Sequence, residues 1–445
     1  MIKIIFPKKE LSDLAQKFRA DRLESFAFIL ARPVKTSTSN WRLLVQSIHL
    51  PTSDEYGLRS ETSVQPTATF RLGVEKLARR DGLSLVYCHS HPHEPGIPSF
   101  SRIDDETEIP LAHYSRDRVG TMPHVALLVG SEGFRARELG SGGFVEIFEV
   151  GRQVVRHFSK DASPVGNEHD RQVRAFGDAG QRAIQALRVA IIGLGGTGSV
   201  VAQQLAYLGV RHFLLIDPQV LDNTNLNRVV GARRSDIGRP KVKIARRMIK
   251  HLIPNAEVKA KQGDVLDKAV GRLVTDVDFV FCCTDSHGSR HFINQLVYQY
   301  FIPCIDMGVV IKVQDGRVTH FGGRVQMLAP GIGCLVCTDG ILSSDEIRID
   351  LSNEEQRRAD PYFLGRVNIK QPSVISLNSS AASAAVTMFL AAVAGIPTDS
   401  RSQFLRGIPG TVRTLQDTPR HGCVNCATDA YYGKGALYDL PIRAR

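Results

Sequence analysis

Three groups of residues in this chain carry the means for chemistry. The first is the glycine series Gly193, Gly195, Gly196 and Gly198, which follows the β-branched run Val189–Ile192. Glycines at that spacing let backbone N–H groups approach phosphate at a helix N-terminus. A second apolar run, Phe213–Ile216, ends in Asp217. A carboxylate about 20 residues past such a loop can take ribose hydroxyls. Then Asn225, Arg228 and Lys241 bring an amide, a guanidinium and an ammonium just beyond the second strand. A nicotinamide site needs no such cationic cluster, because loop and helix dipole already handle its pyrophosphate. A site from which pyrophosphate must leave does need one. The residues therefore favour ATP chemistry over hydride transfer on NAD.

The second group lies in residues 89–104, HSHPHEPGIPSFSRID. His89 and His91, one residue apart after an apolar strand, can aim their imidazoles the same way. With Asp104 they offer two nitrogens and one oxygen and leave a fourth tetrahedral position open, the ligand set of a catalytic zinc. His93 reads as a solvent-facing loop histidine and Cys88 as a buried thiol. The third group is two C-x-x-C pairs, Cys334 with Cys337 and Cys423 with Cys426. Each pair can bite one face of a tetrahedral ion, and four thiolates close the site, which makes it structural. Cys282, Cys283 and Cys304 fall in or beside apolar strands and read as packed small side chains.

These groups need elements to hold them. Around the glycines the order is strand, tight turn, helix (through Ala202, Leu205 and Leu208) and strand, the opening of a doubly wound parallel sheet. Val277–Asp285 reads as a further buried strand with Asp285 at its C-terminal edge, where ligands sit in such sheets. A helix at Phe292–Tyr300, a strand at Ile302–Met307 and an alanine-rich helix from Asn378 follow. Upstream, strand-like runs at Phe26–Leu30, Trp41–Ile48, Leu83–Tyr87 and His124–Val129 surround a helical pattern at Ala68–Arg80, which gives a small α+β domain. Gly151–Asn167 has linker composition, and polar Ile341–Lys370 reads as a loop. The expected domains are 1–155, a linker at 156–168, and 169–445.

Length and composition agree with this. The 445 residues are 43% apolar and 23% charged, ordinary for a soluble protein of two or three domains. The formal charge of +11 invites nucleic acid, but no aromatic-basic alternation accompanies it, and the dense segment Arg233–Lys250 lies where phosphates would bind. No signal-peptide h-region opens the chain, and Ala381–Gly395 is short and alanine-rich for a membrane span. Paired cysteines that bind metal suit a reducing, cytoplasmic setting.

Residues 187–241 resemble the ThiF/MoeB superfamily, which includes the ubiquitin-activating (E1-like) enzymes. The resemblance implies a Rossmann-like adenylating domain using ATP and Mg²⁺. Its substrate would be the C-terminal glycine carboxylate of a ubiquitin-like or sulfur-carrier protein. Asp217 would bind ribose, while Asn225, Arg228 and Lys241 contact phosphates. Asp285 would hold Mg²⁺ or orient the α-phosphate. The segment HDRQVRAFGDAGQ (169–181) resembles the family's opening helix, in which Arg171 would reach across a homodimer to the partner's ATP. The paired cysteines match the family's structural zinc. Ubiquitin-activating enzymes carry a thioester cysteine in the region between those pairs, and none lies between Cys337 and Cys423. The adenylate is therefore expected to pass to an external thiol or sulfur donor, such as a conjugating enzyme.

Residues 1–150 resemble the JAMM (MPN-plus, JAB) metalloproteases, zinc enzymes that cleave after ubiquitin-like C-termini. By this resemblance His89, His91 and Asp104 hold zinc, Glu24 is the general base and Ser101 supports the oxyanion. Ser99 and Asp105 compete for two of these places; the Ser-x-x-Asp spacing selects Ser101 and Asp104. Such fusions resemble proteins of bacterial ubiquitin-like pathways, some of them antiviral. Sulfur-carrier maturation is the alternative destination. An NAD-linked oxidoreductase beside a zinc hydrolase is the alternative of another class, and a scaffold without either activity is a third.

Overall fold

The computed structural model describes residues 1–157, 165–338, 343–352, 356, 372–398 and 400–443. The chain divides into two compact units, Met1–Pro164 with Gly433–Tyr438, and Val165–Tyr432 with Asp439–Arg445.

The first unit opens with β1 (Ile2–Pro7), α1 (Glu10–Arg19), β2 (Phe26–Lys35) and β3 (Trp41–His49). A hairpin of β4 (Tyr56–Arg59) and β5 (Val64–Pro66) precedes α2 (Ala68–Asp81), β6 (Ser84–Ser90) and α3 (Arg102–Arg118). Strands β7 (Val125–Val129), β8 (Phe134–Glu138), β9 (Val145–Val150) and β10 (Val154–His157) complete it. All but the hairpin form one mixed sheet in the order β10-β9-β1-β3-β2-β6-β7-β8. Side chains alternate across a strand, so β6 sends Val86 and Cys88 to the face covered by α1, and Leu85 and Tyr87 to the opposite core with α2. His89 continues the parity of Tyr87, which aims it at the α2 and α3 side. Phe26 pairs with His89 and Phe28 with Tyr87, and Glu24 shares their parity. Helices α1 and α3 are additions to the single helix read at Ala68–Arg80.

Two boundaries differ from the sequence reading. Val154–His157, within the stretch of linker composition, pairs antiparallel with β9, so the linker starts later; residues 158–164 lie outside the described residues. Gly433–Tyr438, assigned from sequence to 169–445, packs on β2 and β3 instead. Gln46 donates to the Gly433 carbonyl at 3.1 Å. Gly435 has φ of +54°, and a Cβ there would fall 2.3 Å from Val34, so only glycine lets the segment dock.

The second unit runs α4 (Asp170–Ala186), β11 (Arg188–Ile192), α5 (Gly196–Tyr207), β12 (His212–Asp217), α6 (Lys241–Leu252) and β13 (Glu257–Gln262). It continues through short α7 (Lys268–Gly271), β14 (Phe279–Cys282), α8 (His287–Tyr300), β15 (Cys304–Gln314) and β16 (Arg317–Leu328). Helices α9 (Ser344–Leu351) and α10 (Ile375–Val393) and strands β17 (Ser402–Arg406) and β18 (Thr411–Thr414) close it. Its sheet order is β13-β12-β11-β14-β15-β16-β17-β18. Strands β11 to β15 are parallel to their neighbours, and β16 to β18 add an antiparallel edge. Part of the loop read at Ile341–Lys370 is therefore helix α9; positions 341–342, 353–355 and 357–370 lie outside the described residues. Helix α4 is broken at Phe176–Gly177, where the glycine takes φ of +72°.

Helix α10 has the length and composition to cross a membrane, longer than the Ala381–Gly395 stretch marked in the sequence. Yet Leu377, Ala381, Ala385 and Phe389 are buried, and the helix packs on α5, β15 and β16. Phe389 sits edge-on to Phe279 at 4.9 Å between centroids. Truncating such a fully buried ring costs about 3–5 kcal/mol in lost transfer energy and cavity. Phe389→Ala is expected to lower the urea-unfolding stability of this unit by that amount; a loss under ~1 kcal/mol would contradict the packing.

Candidate functional site

From β11 the chain moves outward through β12 and β13, then returns to β14 on the other flank of β11. Loops diverge at such a switch point and leave a crevice beyond the strand ends. A cleft of about 840 Å³ opens there. Gly193, Gly195, Gly196, Asp217, Asn225, Arg228, Lys241 and Asp285 all line it. Two glycines are dictated by shape: Gly193 has φ of +86°, and a Cβ on Gly198 would fall 1.9 Å from the Gly193 carbonyl oxygen. Gly195 caps α5 with nothing within 4 Å of where its Cβ would be, so backbone there is open to a ligand.

Asp217 is buried, and both of its oxygens accept from backbone, at 2.6 Å from Leu194 N–H and 2.7 Å from Gln219 N–H. It braces the glycine turn as well as facing the cleft, and burial raises its pKa despite those bonds. Lys241 opens α6 and donates to Gln219 Oε1 at 2.6 Å. Arg228 donates to the Thr224 carbonyl and to Asn227 Oδ1. Among the described residues neither cation forms a salt bridge, although Lys241 acts on the Asp217 charge through space; both face the cleft with neutral hydrogen-bond partners. Their neighbours are different. Arg239 and Arg247 pair with Asp236, while Arg290 and Arg324 share buried Asp306. Those four are structural charges.

Arg171 is exposed and is not among the residues lining its own chain's cleft. The sequence reading missed Gln219, which holds Lys241, and Asn378, a buried amide of α10 that also lines the cleft. One polar residue buried within an alanine-rich helix was the signal available.

The four cysteines of the two C-x-x-C pairs converge, every sulfur within 4.8 Å of the others. Cys334 lies 3.8 Å from Cys337 and 3.6 Å from Cys423, and Cys337 lies 3.5 Å from Cys426. A tetrahedral ion with bonds of about 2.3 Å to sulfur spaces its ligands about 3.8 Å apart. The cluster therefore fits zinc. Donation from Cys426 lowers the Cys334 thiol below its ordinary range, and the same contact raises Cys426. Of the remaining cysteines, Cys88, Cys282 and Cys304 are buried, while Cys283 is half-buried and lines the nucleotide cleft; burial pushes all four thiols up.

In the first unit His89, His91 and Asp104 bring ligand atoms within 4.8 Å of one another. His89 Nε2 lies 3.3 Å from Asp104 Oδ1 and His91 Nε2 4.0 Å from Glu24 Oε1. Glu94 holds His91 Nδ1 at 3.0 Å, which turns Nε2 toward the other ligands, as outer carboxylates do at metal sites. These donors fit a metal with an open position. Ser101 caps α3 and donates to Asp104 Oδ2 at 2.8 Å. Asp105 instead pairs with Arg137 and Ser99 N–H with Glu94, which separates them from the ligand set. His93 bonds the Arg22 carbonyl away from it. Burial raises the Glu24 carboxyl, opposed by the charges of His89 and His91. At Asp104 burial pushes upward, but the bonds from His89 and Ser101 prevail and hold it well below the carboxylate range. A cleft of about 660 Å³ joins these groups to Phe26, Phe28 and Tyr87.

A doubly wound unit with an anion-ready glycine loop and a four-thiol staple defines a nucleotide-binding class, and the comparisons fix the family. The ThiF family model matches residues 169–425; the chain belongs to the ThiF family. The molybdopterin-synthase adenylyltransferase of Salmonella typhimurium is 32% identical over 158 residues, covering 35% of this chain and 63% of that protein. The Escherichia coli sulfur carrier protein ThiS adenylyltransferase is 31% identical, over 36% of this chain and 60% of its own. The SAMP-activating enzyme E1 of Haloferax volcanii is 28% identical, over 36% and 56%. This chain thus spans less than two thirds of each relative. The crystal structure of E. coli MccB with ATP aligns at a TM-score of 0.48 and 17% identity, covering 61% of this chain and 77% of that one.

Cys423→Ser is expected to remove zinc from the four-thiol site, read by elemental analysis of the purified chain, and to lower the thermal midpoint. Structural zinc binding contributes on the order of 10 kcal/mol. Unchanged metal content and midpoint would contradict the assignment.

Proposed function

We propose that the second unit adenylates the C-terminal glycine carboxylate of a ubiquitin-like or sulfur-carrier protein with ATP and Mg²⁺. The observation that carries this is the pair of cations, Arg228 and Lys241, that line the cleft beside the glycine loop with no salt bridge among the described residues. A carboxylate oxygen attacks the α-phosphorus, the bond to the β-phosphate bridging oxygen breaks, and pyrophosphate leaves with the electron pair. Positioning and charge stabilisation carry such steps. Arg228, Lys241 and Asn225 hold the phosphates, Asp217 faces the ribose, and Asp285 is the carboxylate for Mg²⁺. Arg171, exposed on α4, serves the second subunit of a homodimer. Two relatives named as adenylyltransferases and one named as an activating enzyme support this reading.

The first unit, in the same proposal, is a zinc peptidase or isopeptidase of the JAMM kind, trimming or releasing the modifier. Zinc held by His89, His91 and Asp104 supplies a water of lowered pKa and a Lewis acid. Glu24 takes the water's proton and returns it to the leaving amine. For Ser101 to support an oxyanion, its proton must turn from Asp104 to the substrate.

No cysteine lies between Cys337 and Cys423. In this proposal the adenylate passes to an external thiol, on a conjugating enzyme or a sulfur donor, in a reducing cytoplasm.

ATP–pyrophosphate exchange should depend on a β-grasp protein ending in Gly-Gly and fall ~100-fold or more in Arg228→Ala and Lys241→Ala. Full exchange in either variant, or bound nicotinamide in the purified chain, overturns the adenylation reading. His91→Ala should lose zinc while retaining that of the cysteine site, and Glu24→Gln should keep both metals but lose hydrolysis of a Gly-Gly-extended fusion. Hydrolysis undiminished in Glu24→Gln overturns the peptidase reading.

A further inference from the structure

Asn378 has no part in the chemistry assigned so far. It lies in the first turn of α10, is 2% exposed, and lines the nucleotide cleft beside Ser373. Its Nδ2 donates to Ser373 Oγ at 3.0 Å. Its Oδ1 accepts no hydrogen bond among the described residues. The carboxamide presses on the glycine loop: a Cβ added to Gly196 would fall 2.1 Å from Nδ2. Gly196 is thus glycine to make room for Asn378. The other buried positions of this helix are alanine and larger apolar residues. A carboxamide whose oxygen is left open to the cleft is an acceptor placed for a ligand rather than for packing.

An amide oxygen only accepts. Phosphate oxygens at the N-terminus of α5 are acceptors too and give it nothing. Ribose hydroxyls are donors, but Asp217 stands at the end of β12, on the opposite flank of β11 from β15 and β16, on which α10 packs. Adenylation brings two other donors to the cleft: the adenine amino group, at the far end of the nucleotide from its phosphates, and the last peptide N–H of the chain whose terminal carboxylate attacks the α-phosphorus. Asn378 touches Gly196 at the α5 N-terminus, the phosphate end, which favours the peptide N–H. We propose that Asn378 Oδ1 accepts from that N–H and so fixes the terminal carboxylate in line with the nucleotide. The inference rests on the adenylation reading. It makes the substrate a polypeptide tail whose last residue keeps its amide hydrogen, and it makes Asn378 a substrate-positioning residue.

The probe is a synthetic hexapeptide ending in Gly-Gly, compared with its analogue in which an ester replaces the last amide and removes the N–H. Binding is measured by calorimetry with α,β-methylene-ATP present, and turnover by ATP–pyrophosphate exchange. The wild-type protein is expected to bind the amide ~10-fold more tightly than the ester, with the difference in KM and little change in kcat. Asn378→Ala should bind both equally, with its affinity for the ATP analogue unchanged. The wild-type comparison needs no variant, so misfolding of Asn378→Ala would not shield the proposal. Equal binding of amide and ester by the wild type overturns it, as does a variant that keeps the preference or loses affinity for the ATP analogue. If both peptides bind yet neither they nor any Gly-Gly-ended protein supports exchange, the adenylation reading fails and takes this inference with it.

Discussion

Positive charge held at a cleft without a salt bridge is the constraint around which the second unit is arranged. Taking a cation out of water is unfavourable unless something opposite meets it. The chain obeys that rule at buried Arg290 and Arg324, which share Asp306. Arg228 and Lys241 make no salt bridge among the described residues; Lys241, 5% exposed, donates to the neutral Gln219 and meets the Asp217 charge only through space. Both stand at the switch point between β11 and β14, where the parallel sheet already turns the α5 N-terminus and the open Gly195 backbone toward the same space. These groups all present positive charge or open N–H to one space, which is the chemistry an anion needs. The sheet order and the cationic pair are therefore one device, with the strands supplying the gap and the loops supplying the charge.

The first unit solves a different problem with strand parity. Period-2 alternation along β6 separates the α1-facing core from the side where His89 lies and His91 follows just past the strand end, and Glu24, two residues ahead of β2, lies beside them. Ser101 and Asp104 arrive through the cap of α3, whose reciprocal bonds fix the carboxylate beside the two histidines. The helix cap and the candidate metal cluster are thus built from shared side chains, which explains why Ser101 donates to Asp104 rather than standing free.

Much of this was legible in the sequence because the groups are local. The glycine loop, the histidine pair and the C-x-x-C pairs each sit within a few residues, and their spacing alone states what they can hold. Convergence of the two cysteine pairs, 89 residues apart, followed from valence. What escaped depends on long-range packing. Asn378 meets Gly196 only because α10 lies on α5. Gly433–Tyr438 docks on β2 through a glycine whose requirement is set by Val34. Helix α3 was hidden by its charges and by Pro110, and β10 by the arginines and glycines around it. Helix α1 carried a legible stripe in Leu11, Leu14, Ala15 and Phe18 that the reading passed over.

The central claim is that a carboxylate attacks the α-phosphorus of ATP in this cleft. It is tested most directly by supplying a Gly-Gly-ended protein labelled with ¹⁸O in its terminal carboxylate, together with ATP and a thiol acceptor, and weighing the AMP released. Label in the AMP, with unlabelled pyrophosphate, is the expected result. Unlabelled AMP, or ADP and phosphate in its place, would contradict the account.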